Sequence, residues 1–325
     1  MDYFLYKLKF DGAVHFGQAE SALSLYTAAD HFRADTLFSA LCHTALSLWG
    51  THGVQALIDQ ADTGALVLSD SMPWRAENGK NTFYLPKPCV VAEQKRDVPP
   101  ELRKKMKKLG WIPVSGMSDF EVSLRGGSLY NPSDEPFGMV GERTSAAVED
   151  NADARPYQVG TYQFYPNCGL YILVGVKEKK QAENMGKLFT ALGLDGIGGK
   201  TSAGYGSFTV DQVLDLSKTS DPQAKWLYRA LTGKDAKHWL LLTTSLPTDN
   251  ELDQALDGAM YQLVRRGGFV QSSTFAATPV KKQTQFFLGA GAMLARPFSG
   301  ALYNVASGTH AVIRYAKPMM LGVSF

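Results

Sequence analysis

The sequence predicts an α+β fold in two domains. Three observations predict it: strand-helix-strand patterning at the start of the chain, the same patterning after a long Pro-rich interruption, and a third, weaker round near the end. The 325 residues, 45% hydrophobic and 20% charged, have ordinary globular composition, which excludes disorder, collagen and coiled coil.

Phe4, Tyr6, Leu8 and Phe10 alternate with Leu5, Lys7 and Lys9, the period of a strand with one buried face, and Asp11-Gly12 ends it. From Phe32 to Trp49 the residues Leu37, Phe38, Leu41, Cys42, Ala45, Leu48 and Trp49 recur at helical spacing. Asp35 and Thr36 stand at the start of that helix, where free backbone N–H groups seek acceptors. Ala65 to Ser69 is a second strand. From about 78 to 166, prolines including Pro86, Pro88, Pro99, Pro100, Pro113, Pro132 and Pro136, the basic run Arg103 to Lys108 and the acidic turn Glu149 to Asp153 read as long insertions. Within them Tyr157 to Tyr165 alternates as a strand and pairs with a segment near Arg143 in a projecting hairpin. GLYILVGV from Gly169 is a buried strand, Lys179 to Leu192 a helix with Ala182, Met185, Leu188, Phe189 and Leu192 inward, and Tyr205 to Val210 another strand.

This order is that of the ferredoxin-like sandwich, which the RNA recognition motif shares. The N-terminal domain spans 1–215 and a second, degenerate ferredoxin-like domain spans 236–325. The latter has strands at His238 to Thr244, Met260 to Arg266, Gln285 to Ala295 and Ala311 to Tyr315, with a short helix from Asn250 to Leu256.

The 33 Lys and Arg against 31 Asp and Glu leave a net charge of +2, which hides a split. After Asp257 come Arg265, Arg266, Lys281, Lys282, Arg296, Arg314 and Lys317 with no acidic residue, so this stretch carries +7 and the rest −5. The expectation is that the acid-free stretch forms much of one RNA-facing side, while the remainder meets proteins. Cys42, Cys89 and Cys168 are odd in number, far apart and without CxxC spacing, which argues against a disulfide framework or zinc site. No targeting pattern or membrane-length apolar run is present, so a cytoplasmic protein is expected.

The most unusual segment is GIGGKTSAGYGSF, Gly196 to Phe208. A P-loop fails because Gly193 stands one position too far from Gly199-Lys200-Thr201, and a dinucleotide GxGxxG fails because position 201 is Thr. What remains is a loop in which Gly198 and Gly199 admit a nucleic-acid backbone closely, Lys200, Thr201 and Ser202 contact phosphate, and Tyr205 stacks on a base. The plain alternative is a flexible turn closing the sandwich. Arg265-Arg266-Gly267-Gly268-Phe269 also suits phosphate and base contacts, with a β-turn of incidental charge as its alternative. RKKMKK at Arg103 to Lys108 reads equally as a phosphate grip or a solvated helix face. His15 and His31 flank the first strand and helix, where a general acid and base would stand in metal-independent RNA cleavage, although scattered histidines are more often structural. No carboxylate pair, Ser-His-Asp order or metal-ligand spacing stands out, and no cofactor motif is found.

Four stretches together carry a family resemblance: KLKFDGAVHFG with HFRADTLFSALC, ERTSAA with the Tyr-rich strand after it, GIGGKTSAGYGSF, and FLGAGAMLARPFSGALYN with HAVIRYAKPMMLGV. In order and end to end, they resemble the fourth Csm subunit of type III-A CRISPR interference complexes, a member of the RAMP superfamily. The resemblance implies a non-catalytic subunit that grips the repeat-derived 5′ handle of the crRNA. It implies docking of the large polymerase-like subunit of the Cas ten type and of the backbone RAMP subunits, with no membrane contact. Under it the RNA-binding residues are expected to be His15, Gly17, Arg143, Gly198, Gly199, Lys200, Thr201, Ser202, Tyr205, Arg265 and Arg266. The alternative on the same fold is a metal-independent endoribonuclease that processes crRNA precursors with His15 as acid or base.

Overall fold

The computed structural model describes residues 1–17, 22–91, 97–147, 155–233, 236–270, 280–308 and 310–324. The acidic turn Glu149 to Asp153 lies outside them. The centre is a seven-stranded sheet built on the first strand, Asp2–Phe10, which pairs antiparallel with Cys168–Val176 on one side and Phe208–Asp215 on the other. Along the far edge of Cys168–Val176, Leu66–Leu68 pairs at one end and Met72–Glu77 at the other.

Both faces of this sheet are buried, which corrects the expectation of one. Tyr6, Leu8 and Phe10 face a core shared with the two large helices, Ala34–Asp62 and Lys179–Asp195. Leu5, Tyr171 and Leu173 face a second core closed by the helix Pro222–Thr232 and by Leu240, Leu321 and Val323 of the C-terminal part. Coverage on both sides explains why all nine positions of Cys168–Val176 are buried and why its sequence is unbroken by a polar alternation. Lys7 is buried too, because its ammonium lies 3.8 Å over the Trp74 ring and pairs with Asp211 at 2.9 Å.

The long helix buries Leu37, Phe38, Leu41 and Ala45 as its spacing predicts, but Leu48 and Trp49 are exposed. The backbone leaves helical geometry at Gly50, and the apolar stripe stops about one turn before that break. The backbone N–H of Ala34 in the first turn is capped from a distance by Asp70, whose Oδ1 accepts from it at 2.8 Å. The second helix opens with a capping box between Glu178 and Gln181.

The stretch read as insertions partly continues the sheet: Met72–Glu77, Lys80–Pro86 and Trp111–Pro113 add successive strands. RKKMKK lies on the helix Pro100–Lys108, none of whose residues is buried. The projecting hairpin is real: Gly138–Ala147 pairs with Arg155–Phe164 over ten positions, and the Val14–Tyr162 bridge fastens its base to the segment after the first strand. In the polar stretch after Leu216, the helix Pro222–Thr232 starts at Asp221, whose carboxylate accepts from the N–H groups of Gln223 and Ala224. The C-terminal part is a three-stranded sheet, with His238–Leu241 between Met293–Leu294 and Met320–Val323, flanked by the ribbons Leu263–Arg266 with Gln285–Leu288 and Leu302–Asn304 with Ile313–Tyr315.

Among the described residues, no helix is long and apolar enough to cross a membrane and no group of three or more His, Cys, Asp or Glu residues is placed to hold a metal ion.

Candidate nucleic-acid interface

The glycine-rich loop folds back on the segment after the first strand. The N–H groups of Gly199 and Gly206 donate to the carbonyls of His15 (2.9 Å) and Ala13 (3.1 Å), and Ile197 N–H donates to Gly206 O at 3.0 Å. These bonds demand close backbone approach with φ in the left-handed region. A Cβ at Gly198 (φ +105) would stand 2.8 Å from His15 O, and one at Gly206 (φ +77) would stand 2.1 Å from Ile197 O. The glycines therefore do more than permit a turn: they let the loop lie flat on its neighbours. Above that base the tip is presented outward, with Gly198 and Ser202 exposed and Lys200 and Thr201 half-buried. The N–H groups of Gly198 and Lys200 make no hydrogen bond within the described residues.

The projecting hairpin joins the loop. Lys200 donates from Nζ to the Tyr157 hydroxyl at 3.0 Å, which holds the Tyr157 phenol below its usual range. Arg143, exposed on the opposite strand, places its guanidinium carbon 5.9 Å over the Tyr205 ring. Loop and hairpin thus form one surface with His15 beneath it, and Gly17 is exposed on the short strand Phe16–Gly17 beside them.

Two expected roles change. Tyr205 is 5% exposed, its hydroxyl is buried without a partner among the described residues, and Arg143 lies over its ring, so it is the floor of the loop rather than an open stacking surface. His15 is likewise buried; its Nδ1 donates to the Gly160 carbonyl at 2.7 Å and its ring packs under Gly199. Both owe this to the close approach that the glycines allow.

Facing the loop across a cleft of about 380 Å³ is the turn Arg266 to Phe269. Arg266 does not reach solvent as a free fork. Its Nε and Nη2 close on both oxygens of Asp35 at 2.9 and 2.8 Å, and Nη2 also reaches Thr36 Oγ1 at 3.2 Å. Burial would raise the Asp35 carboxyl, but Arg266 holds it below the usual carboxylate range. Arg314 is 4% exposed and donates to the carbonyls of Arg266, Gly267 and Gln283, which shapes the turn from beneath. Arg265, one position along the strand, points to the opposite face, where it is exposed in register with Phe286.

The acid-free stretch is accordingly not one basic side. Arg266, Arg314 and Lys317 are turned inward, Lys317 toward Gly300 O at 3.4 Å, and Arg296 lies 4.0 Å from Asp257. Charges without nearby acids in the sequence have been used to fasten backbone carbonyls, which a count of charges does not show. His31 is separate from this surface: its Nδ1 pairs with Asp30 at 2.8 Å, and Trp111 Nε1 donates to the same carboxylate.

The sequence does not mark Asp35 as an ion-pair partner or His43 as a site residue, yet the fold brings both to one cleft with Lys282 of the acid-free stretch, and it brings the equally unmarked Tyr157 to Lys200 of the adjoining loop. Only the position of Asp35 in the first helical turn was legible as a signal.

Comparison with known proteins places the chain. A family model described as the CRISPR Csm4 C-terminal domain matches residues 234–323. A Mycobacterium tuberculosis protein named CRISPR system Cms protein Csm4 is 32% identical over 323 residues, which covers 98% of this chain and 97% of that one. The Streptococcus thermophilus protein of the same name is 27% identical over 328 residues, with 98% of each chain covered. Among solved structures, a chain in the crystal structure of a Csm3-Csm4 subcomplex of the type III-A CRISPR-Cas interference complex shares the fold, with a TM-score of 0.63, 16% identity and 100% of both chains covered. A chain of a Csm1-Csm4 cassette in complex with cA4 has a TM-score of 0.60 at 18% identity, covering 100% of this chain and 98% of that one. A relative this similar over nearly the full length of both proteins, with the family's C-terminal domain matched where the short C-terminal strands lie, means that the chain belongs to the Csm4 family of CRISPR system proteins.

Proposed function

We propose that this chain is the crRNA-binding structural subunit of a type III-A CRISPR effector complex, gripping the repeat-derived 5′ handle and docking the large polymerase-like subunit and the backbone RAMP subunits. The observation that carries this reading is the loop tip: a lysine, two hydroxyls and two backbone amides without a partner among the described residues are held up on glycines beside a hairpin that bears Arg143. Backbone N–H groups and single cations suit phosphates. Gly198, Gly199, Lys200, Thr201 and Ser202 are the direct contacts, with Arg143, Gly17 and Arg265 on flanking surfaces and His15, Tyr205 and Arg266 as supports. The partner assignment takes its support from the family's solved complexes with Csm3 and Csm1.

The strand order Phe208–Asp215, Asp2–Phe10, Cys168–Val176, Leu66–Leu68, with both helices on one face, supports a ferredoxin-like N-terminal domain over 1–215. The match to residues 234–323 supports a second unit over 236–325, read as a degenerate copy.

Co-purification tests the assignment. Complex assembled with Gly199→Asp plus Arg265→Ala should lose most of its crRNA at moderate salt while wild type retains it; equal retention overturns these sites. The endoribonuclease reading has less support, since His15 is buried and one ring nitrogen is tied to Gly160. Cleavage of repeat RNA by the isolated protein in EDTA, abolished by His15→Ala, would revive it.

A further inference from the structure

We propose that the cleft between the long helix and the Arg266 turn is a phosphate site, in which Lys282 and His43 bind one phosphate of the RNA strand held by the glycine-rich loop. The inference rests on the RNA-binding reading above and adds to it a pocket that lies beside the loop tip, on residues that no motif marks.

The argument is one of charge balance. The cleft is walled by Thr36, Ser39 and His43 of the long helix, by Gly196 to Gly198, and by the turn with Lys282 and Arg314 beneath it. Three cations converge here. Arg266 is closed on Asp35, and Arg314 is occupied by backbone carbonyls. Lys282 is half-buried; its backbone N–H donates to Gly268 O at 2.9 Å, but its ammonium has neither a hydrogen-bond nor an ion-pair partner within the described residues. Burial lowers the Lys282 ammonium pKa, Arg314 and Arg266 lower it further, and Asp35 only partly compensates. A covered cation among like charges is costly unless an anion joins it. Hydroxyls of Thr36 and Ser39 and the Gly198 amide complete a set of donors with few acceptors, the composition of an oxyanion site.

His43 stands across the cleft from Lys282. Partial burial lowers its pKa, and Lys282 lowers it further, so the imidazole is neutral at pH 7. The charged groups facing it are Lys282, Arg266, Arg314, Asp35 and, at the rim, Asp195. A phosphate between His43 and Lys282 reverses the sign of the local field. It raises the His43 pKa, so binding takes up a proton and tightens as pH falls.

The phosphate could belong to an RNA strand or to a free nucleotide, and the test separates them. Full-length protein is titrated with an eight-nucleotide single-stranded RNA, with AMP and with inorganic phosphate, at pH 6 and pH 8. For wild type we expect RNA affinity several-fold tighter at pH 6, a pH response lost in His43→Gln. We expect Lys282→Met to weaken RNA about 5- to 10-fold and to lower the log-log salt slope by about 0.7, the value for one phosphate of a single strand. Its melting temperature should be equal or higher, because a covered, unpaired cation has been removed; a residue with only a structural role would lower it. AMP or phosphate bound as tightly as RNA, with the same dependence on Lys282, would overturn the RNA strand as the source. Unchanged RNA affinity and salt slope in Lys282→Met overturns the phosphate site, and if Gly199→Asp plus Arg265→Ala still releases crRNA, the handle-binding reading survives alone. Loss of neither means that both fail.

Discussion

The two walls of the cleft are built by opposite means. The glycine-rich loop gets its shape from side chains that are missing, since Gly198 and Gly206 lie where a Cβ would strike a backbone carbonyl. The turn at Arg266 gets its shape from side chains that are large and charged, with Arg314 under it and Asp35 closing it. Both segments look alike in sequence, basic and rich in glycine, yet the loop keeps its cation and amides at the surface while the turn turns its guanidinium groups inward. Charge in a sequence becomes surface charge only where the backbone has no prior need of it.

The comparison can be broken first at the turn. Arg266→Met leaves the Asp35 carboxylate, 8% exposed in its side chain, without its partner, and should cost about 3–5 kcal/mol in denaturant unfolding. At the other wall, Gly206→Ala adds a strained φ and a clash with Ile197 O and should cost about 2–4 kcal/mol, with loss of RNA retention in the same variant. Acid sharpens the difference. Because the folded pKa of Asp35 lies below its unfolded value, its contribution is fully present above the ordinary carboxylate range and is lost as pH falls through the lowered folded value. Wild-type stability measured from pH 6 to pH 2 should therefore drop more steeply than that of Asp35→Asn. Lys200→Met should leave the melting temperature unchanged and lower the salt slope of RNA binding by about 0.7, since this lysine is presented by the loop rather than built into it. The smallest effect belongs to the other basic segment: Lys104→Gln with Lys107→Gln, on a helix with no buried residue, should change neither stability nor handle binding.

Much of this was legible beforehand because it depends on local period. The first strand, the long helix, the strand from Gly169 and the helix from Lys179 announce themselves by alternation or helical spacing. What was illegible depends on partners far along the chain. Lys7 reads as a surface residue until Trp74 is placed beneath it, Arg266 reads as an RNA contact until Asp35, 231 positions away, is brought to it, and Tyr205 reads as a stacking ring until the loop folds over it. The helix Pro222–Thr232 was missed for another reason: its buried side needs only Ala224, Leu227 and Leu231, a stripe too narrow to stand out in a polar stretch.

Tyr315 has a consequence for how the chain is made. It is fully buried in the core between the long helix and the main sheet, its ring 5.3 Å from Phe38, and its hydroxyl accepts the Leu68 N–H at 2.9 Å. During synthesis, the ribosome delivers the first 215 residues with that place in the core unfilled and that amide unmatched, because the plug lies 247 positions beyond Leu68. The nascent N-terminal part should accordingly stay loose and dependent on chaperones until Tyr315 follows, and a chain stopped short of Tyr315 should be removed as damaged even though its loop and hairpin are already complete.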